Sequence, residues 1–147
     1  MKKTIFLKSM LILFPILAVG LATTVDSVMV FDTLTGTTSY FSYFDPVPVA
    51  NLQMLPPLAA MLCVISGVLA AVYLGKDKKG CLKASGYAAG ASAVAATIPI
   101  AIQGDVLVVP NVVLPICMLA QYAVAYYMGK QAQKEEANKK APRLKKR

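Results

Sequence analysis

The sequence predicts an all-α membrane protein: a four-transmembrane-helix bundle of two helical hairpins, topped by a small extracytoplasmic β-hairpin or three-stranded cap. Composition, charge placement and run length carry this expectation. Of 147 residues, 57% are apolar and only 15% charged, where a soluble domain carries about 25% charged. The basic residues fall in three blocks, at Lys2, Lys3 and Lys8, then Lys76 to Lys83, then Lys130 to Arg147. The intervening uncharged runs are Ser9 to Val25 (17 residues), Pro46 to Gly75 (30), Ala84 to Gly104 (21) and Val106 to Gly129 (24). A helix needs roughly 17 to 25 residues to cross a hydrocarbon core of about 30 Å, so each run accommodates one span. The expected helices cover about 5–25, 52–75, 84–103 and 110–129, forming a single transmembrane domain over 1–130 with a basic tail at 131–147.

The first helix has two readings. Lys2-Lys3, the apolar Met10 to Leu17 and the small Ala18-Val19-Gly20 also fit a cleaved signal peptide, which would leave three spans. Pro15 suits a bundled helix, and retention gives an even number of spans; retention is the preferred reading. Orientation then follows from the basic residues, which are held on the cytoplasmic side of short loops. All 15 lie at the N-terminus, in the middle loop or in the tail, so both termini are expected inside. The net charge of +8 is therefore a topology signal, and no nucleic-acid partner is expected.

After the first helix comes an external segment at about 27–44. Val28-Met29-Val30-Phe31 and Tyr40-Phe41-Ser42-Tyr43-Phe44 are strand formers separated by a Gly-containing polar stretch, the pattern of a β-hairpin. An isolated hairpin is marginal in water, so a short strand at about 105–109 is expected to complete the cap. Tyr40, Phe41, Tyr43 and Phe44 would either meet a partner or the headgroup region, or pack the cap onto the helix ends.

The second and fourth helices form a weak repeat. An ungapped offset of 54 aligns Pro56 with Pro110, Cys63 with Cys117, Ala71 with Ala125, Tyr73 with Tyr127, Gly75 with Gly129 and Lys76 with Lys130. The third helix holds Gly86 and Gly90 in GxxxG spacing, and the second offers Cys63, Gly67 and Ala71 at i, i+4, i+8. Small residues let backbones approach, which drives association where lipid removes the hydrophobic force. These five positions are the expected packing residues, the third helix is expected to be central, and the GxxxG face is expected to meet its own chain.

The chemistry is sparse. With no His and no ionisable group at membrane depth once Lys8 snorkels to the surface, proton-coupled transport is not expected. Cys63, Cys81 and Cys117 form no CxxC, so neither a disulfide nor a redox relay is expected. Asp26, Asp32, Asp45 and Asp105 match no Ca²⁺-loop spacing. No catalytic, cofactor or metal site is assigned.

The long first external loop with strands and the short second one resemble the claudin-type architecture in outline. The Trp and paired Cys of that family's loop are absent, so no function follows. Small multidrug exporters need an acidic residue in the first helix, and four-helix disulfide-forming enzymes need cysteine pairs; this chain has neither. The expectation is a small plasma-membrane protein of prokaryotic type that serves as a structural or accessory subunit for a larger membrane partner. Its basic tail would touch anionic lipid headgroups. The competing reading is an oligomeric pore or uncoupled small-solute carrier lined by Ser92, Thr97, Gln103, Asn111 and Gln121, and an enzyme is not expected.

Overall fold

The computed structural model describes residues 2–26, 28–32, 36–44, 54–103 and 109–144. Four helices run in sequence: α1 (Lys2–Thr24), α2 (Leu55–Lys76), α3 (Lys79–Gln103) and α4 (Val109–Leu144). Each packs along the next, and α1 closes the ring against α4. Thus α3 lies between α2 and α4 within a ring, rather than at its centre. Among the described residues, three segments are long and apolar enough to cross a membrane: Thr4–Thr24, Leu55–Lys76 and Asn111–Glu135. With 25 residues α3 has the length, but it is built largely from Gly, Ala, Ser and Thr, where α1 and α2 are rich in Leu, Ile, Val and Met.

The helix boundaries follow local chemistry. Pro56 and Pro57 open α2, where a missing N–H costs nothing and the fixed φ suits a helix start. It ends at Asp77, whose left-handed backbone (φ 52°) turns its N–H to the Tyr73 carbonyl at 2.8 Å. That tight reversal lets α3 begin at Lys79, five residues before the expected start at 84. The fourth helix overruns its expected end at 129 by 15 residues. Glu135 precedes Lys139, and Glu136 precedes Lys140, by four positions, a spacing that favours continued helix. Much of the expected tail is therefore helical.

Strands β1 (Val28–Asp32) and β2 (Thr37–Phe41) pair antiparallel, with Val28 opposite Phe41 and Asp32 opposite Thr37. Gly36 adopts φ +66° beside the turn, a conformation that suits a residue without Cβ. The ribbon is two-stranded among the described residues. The third strand expected at 105–109 lies outside them, except for Val109, which opens α4. Tyr43 anchors the segment after β2: its N–H donates to the Ala22 carbonyl at the end of α1 (3.2 Å).

The interior has two apolar clusters. One contains Ala18, Ala22, Tyr43, Ala59, Cys63, Ala89, Ala93, Leu114 and Met118; the other contains Leu11, Ala70, Tyr73, Leu82, Ala125 and Met128. Buried Ala dominates the first, so the backbones sit close and dispersion contacts accumulate. Leu11, Ala18 and Ala22 are fully buried, so α1 is an integral wall of this bundle. The repeat survives packing only in part: Cys63 and Cys117 are both buried and Lys76 and Lys130 both exposed, but Ala71 is exposed while its counterpart Ala125 is buried, and Tyr73 is buried while Tyr127 is exposed. Both α2 and α4 pack on α1 and α3, yet equivalent positions are turned differently: Gly67 stands against Pro15 of α1, whereas its counterpart Gln121 bonds Ser85 of α3.

Candidate functional site

Between the two apolar clusters lies a buried polar layer from three helices. Ser66 of α2 and Ser85 of α3 clasp reciprocally: Ser85 Oγ donates to the Ser66 carbonyl (2.9 Å) and Ser66 Oγ donates to the Ser85 carbonyl (3.1 Å). From α4, Gln121 Nε2 donates to Ser85 Oγ (3.2 Å). All three side chains are fully buried, and Gln121 Oε1 has no hydrogen-bond partner among the described residues. Two helical turns along α3, Ser92 Oγ donates to the Ala59 carbonyl (2.8 Å) and lies 3.1 Å from Cys63 Sγ. At the hairpin end, Tyr43 OH donates to Asn111 Oδ1 (3.0 Å). Burial pushes the Tyr43 phenol up to about 12, since a phenolate there would lose its water.

Of the residues expected to line a polar path, the four with described side chains stand apart. Ser92, Asn111 and Gln121 are buried and engaged with protein groups at three separate levels. Thr97 lies on the outer face and returns its hydroxyl to the Ala93 carbonyl at 2.7 Å. The side chain of Gln103 lies outside the described residues. An interhelical hydrogen bond of this kind contributes about 0.6 kcal/mol, so the layer holds register as well as satisfying polar atoms.

Of the expected external surface, Tyr40 and Phe44 are exposed and Phe41 is half-buried, but Tyr43 is buried. Tyr43 therefore fastens the hairpin to α1 and α4 instead of facing a partner. The small-residue positions also part company. A Cβ on Gly86 would stand 3.2 Å from Ala125 Cβ, and one on Gly90 3.5 Å from the Tyr122 ring, so this face meets α4 of the same chain. A Cβ on Gly67 would stand 3.3 Å from Pro15 Cβ of α1, Cys63 meets Ser92 of α3, and Ala71 is exposed. The two small stripes thus serve different neighbours and do not face each other.

Two of the grooves along the outside bear on function. One, of about 530 Å³, lies between α1 and α2 and is apolar, with Pro15, Gly20, Gly67 and Ala71 along it. The other, of about 290 Å³, lies between α3 and α4 toward the Lys76–Lys83 end and is more polar. Sequence reasoning missed Ser85, the hub of the buried layer, and this second groove. The spacing of Ser85 and Ser92, seven residues apart, and of Tyr122, Tyr126 and Lys130 at i, i+4, i+8 carries the signal for both, since such positions share a helix face. Asp45 and Asp105 lie outside the described residues. No protein-family model, curated protein or solved structure matches this chain.

Proposed function

We propose that this chain is a small membrane-embedded structural or accessory subunit for a larger membrane protein. The observation that carries this reading is the use of interior polar groups in fastening the helices together: Ser66, Ser85, Ser92 and Gln121 bond to neighbouring helices instead of lining a passage. A body packed in this way acts through its outer surface. The apolar α1/α2 groove supports that role, because exposed Gly20 and Ala71 along it admit a neighbouring helix closely. Exposed Tyr40 and Phe44 add a second contact region. In this reading α1 is retained, α3 is the fourth span, both termini are cytoplasmic, and the hairpin caps the bundle outside a prokaryotic plasma membrane. No catalytic step is proposed.

Native mass spectrometry of the protein extracted gently from its own membrane tests this proposal. The expected spectrum holds the intact chain with one different, larger protein at fixed stoichiometry. Gly20→Leu fills the α1/α2 groove where a side chain meets open space, and it should abolish that mass while leaving the bundle's melting unchanged. A discrete homo-oligomer without a larger partner, conducting after reconstitution, would replace this reading with the pore or carrier. A chain shortened by about twenty residues would instead establish the cleaved leader.

A further inference from the structure

The α3/α4 groove joins features that otherwise lie apart. Lys83 and Lys130 stand at its rim, both exposed, and the groove has no acidic residue along it. Lys130 Nζ lies 5.0 Å from the centre of the Tyr126 ring, which stacks on Tyr122 with centroids 6.3 Å apart. Tyr87 is 71% exposed on the facing helix. Below this rim the floor is apolar and narrow, made by Leu82, Gly86 and Ala125. Gly129 lies beside it with open space where a Cβ would stand. Two cations above, tyrosines between and an apolar slot below follow the polarity gradient of a lipid from headgroup to chain. The groove runs along the second half of the Asn111–Glu135 span, from Tyr122 near its middle to Lys130 and Gln133 near its end, and so opens toward the interface where amphipathic side chains settle.

We propose that this groove is a binding site for one anionic phospholipid of the leaflet on the Lys76–Lys83 side. The phosphate lies between Lys83 and Lys130, the tyrosine rings flank the glycerol region, and an acyl chain lies along Gly86 and Ala125. Charge complementarity favours an anionic headgroup over a zwitterionic one, and basic pockets between membrane helices bind such headgroups. The site is separate from the basic tail and from the α1/α2 groove, so it stands whether or not the chain has a larger partner.

The test is native mass spectrometry of the full chain released from bilayers containing equal phosphatidylglycerol and phosphatidylcholine. One phosphatidylglycerol per chain should be retained in preference to phosphatidylcholine. Lys83→Gln or Lys130→Gln should each weaken retention about fivefold, and the pair about 30-fold. Gly129→Leu keeps both charges but fills the slot, and it should also remove the lipid. The control Lys76→Gln/Lys134→Gln deletes two nearby charges outside the groove and should change retention less than twofold. Circular-dichroism melts of each variant verify that it is folded. Equal losses in control and groove variants, equal retention of both lipids, or displacement by inorganic phosphate at matched concentration would each overturn the proposal.

Discussion

Ser85 and Gln121 sit in the same hydrogen-bonded layer, yet replacing them should move stability in opposite directions. Ser85→Ala removes the donor to the Ser66 carbonyl and the acceptor for Gln121 Nε2, two bonds of about 0.6 kcal/mol each. It also leaves the whole buried amide of Gln121, whose oxygen already has no partner, without a hydrogen bond. Orphaning such a group costs about 1–3 kcal/mol, so the total loss is about 2–4 kcal/mol. Gln121→Met, of similar shape, gives up one bond but removes the uncompensated amide, for a net gain of about 0.5–2 kcal/mol. In the Gln121→Met background, Ser85→Ala should cost only about 0.6 kcal/mol, because Ser66 Oγ keeps the Ser85 carbonyl. The coupling in this double-mutant cycle is therefore about 1.5–3.5 kcal/mol. Reversible unfolding in mixed micelles, followed by circular dichroism, measures all four corners. Additive effects, or a Gln121→Met variant less stable than the parent, would refute the assignment of an unsatisfied amide.

Other expectations are more local. Gly86→Leu should destabilise by about 1–3 kcal/mol or more, because its first carbon meets Ala125 at 3.2 Å, whereas Gly75→Ala, with open space around it, should cost nothing in the same melts. Tyr43 should make the fold sensitive to alkali. Its phenol ionises near 10.0 when unfolded and near 12 when folded, so the folded state holds the proton longer and stability falls as pH rises between these values. The loss reaches about 2–3 kcal/mol above them; Tyr43→Phe should flatten this slope, and ultraviolet titration of tyrosinate should lose its latest-ionising step. Among the cysteines, half-buried Cys81 should react first with a membrane-impermeant maleimide, and from the cytoplasmic side alone, while buried Cys63 and Cys117 should wait for denaturation. Labelling of Cys81 from outside would invert the proposed topology.

The sequence made helix existence legible and helix partners largely illegible. Uncharged runs locate α1, α2 and α4 because desolvating a charge is expensive wherever it falls. They misplace helix ends, because Asp77 turns the chain by a left-handed residue and α4 continues through charges set four apart, both local effects that hydropathy does not register. Small residues were visible at Gly67, Gly86 and Gly90, but small size states that something comes close, not what. Gly67 takes the ring of Pro15, while Gly86 takes Ala125. Tyr43 shows the same limit: an aromatic in an external segment reads as surface until its backbone is tied to Ala22 and its hydroxyl to Asn111. Ser85 and Gln121 are 36 residues apart, and no local pattern joins them.

The overrun of α4 has a mechanical meaning. From Glu135 to Leu144 the helix continues by nine residues, about 13 Å of rod at 1.5 Å per residue, beyond the roughly 8 Å over which charge is felt in physiological salt. A rod continuous with the segment that carries Gln121 would act as a lever arm if a load were applied to its tip. A load gripping the tip would tilt α4 against Ser85 and pry on the polar layer, and slackening of that layer would swing the tip. The two ends of one helix would then exchange force without any moving hinge between them.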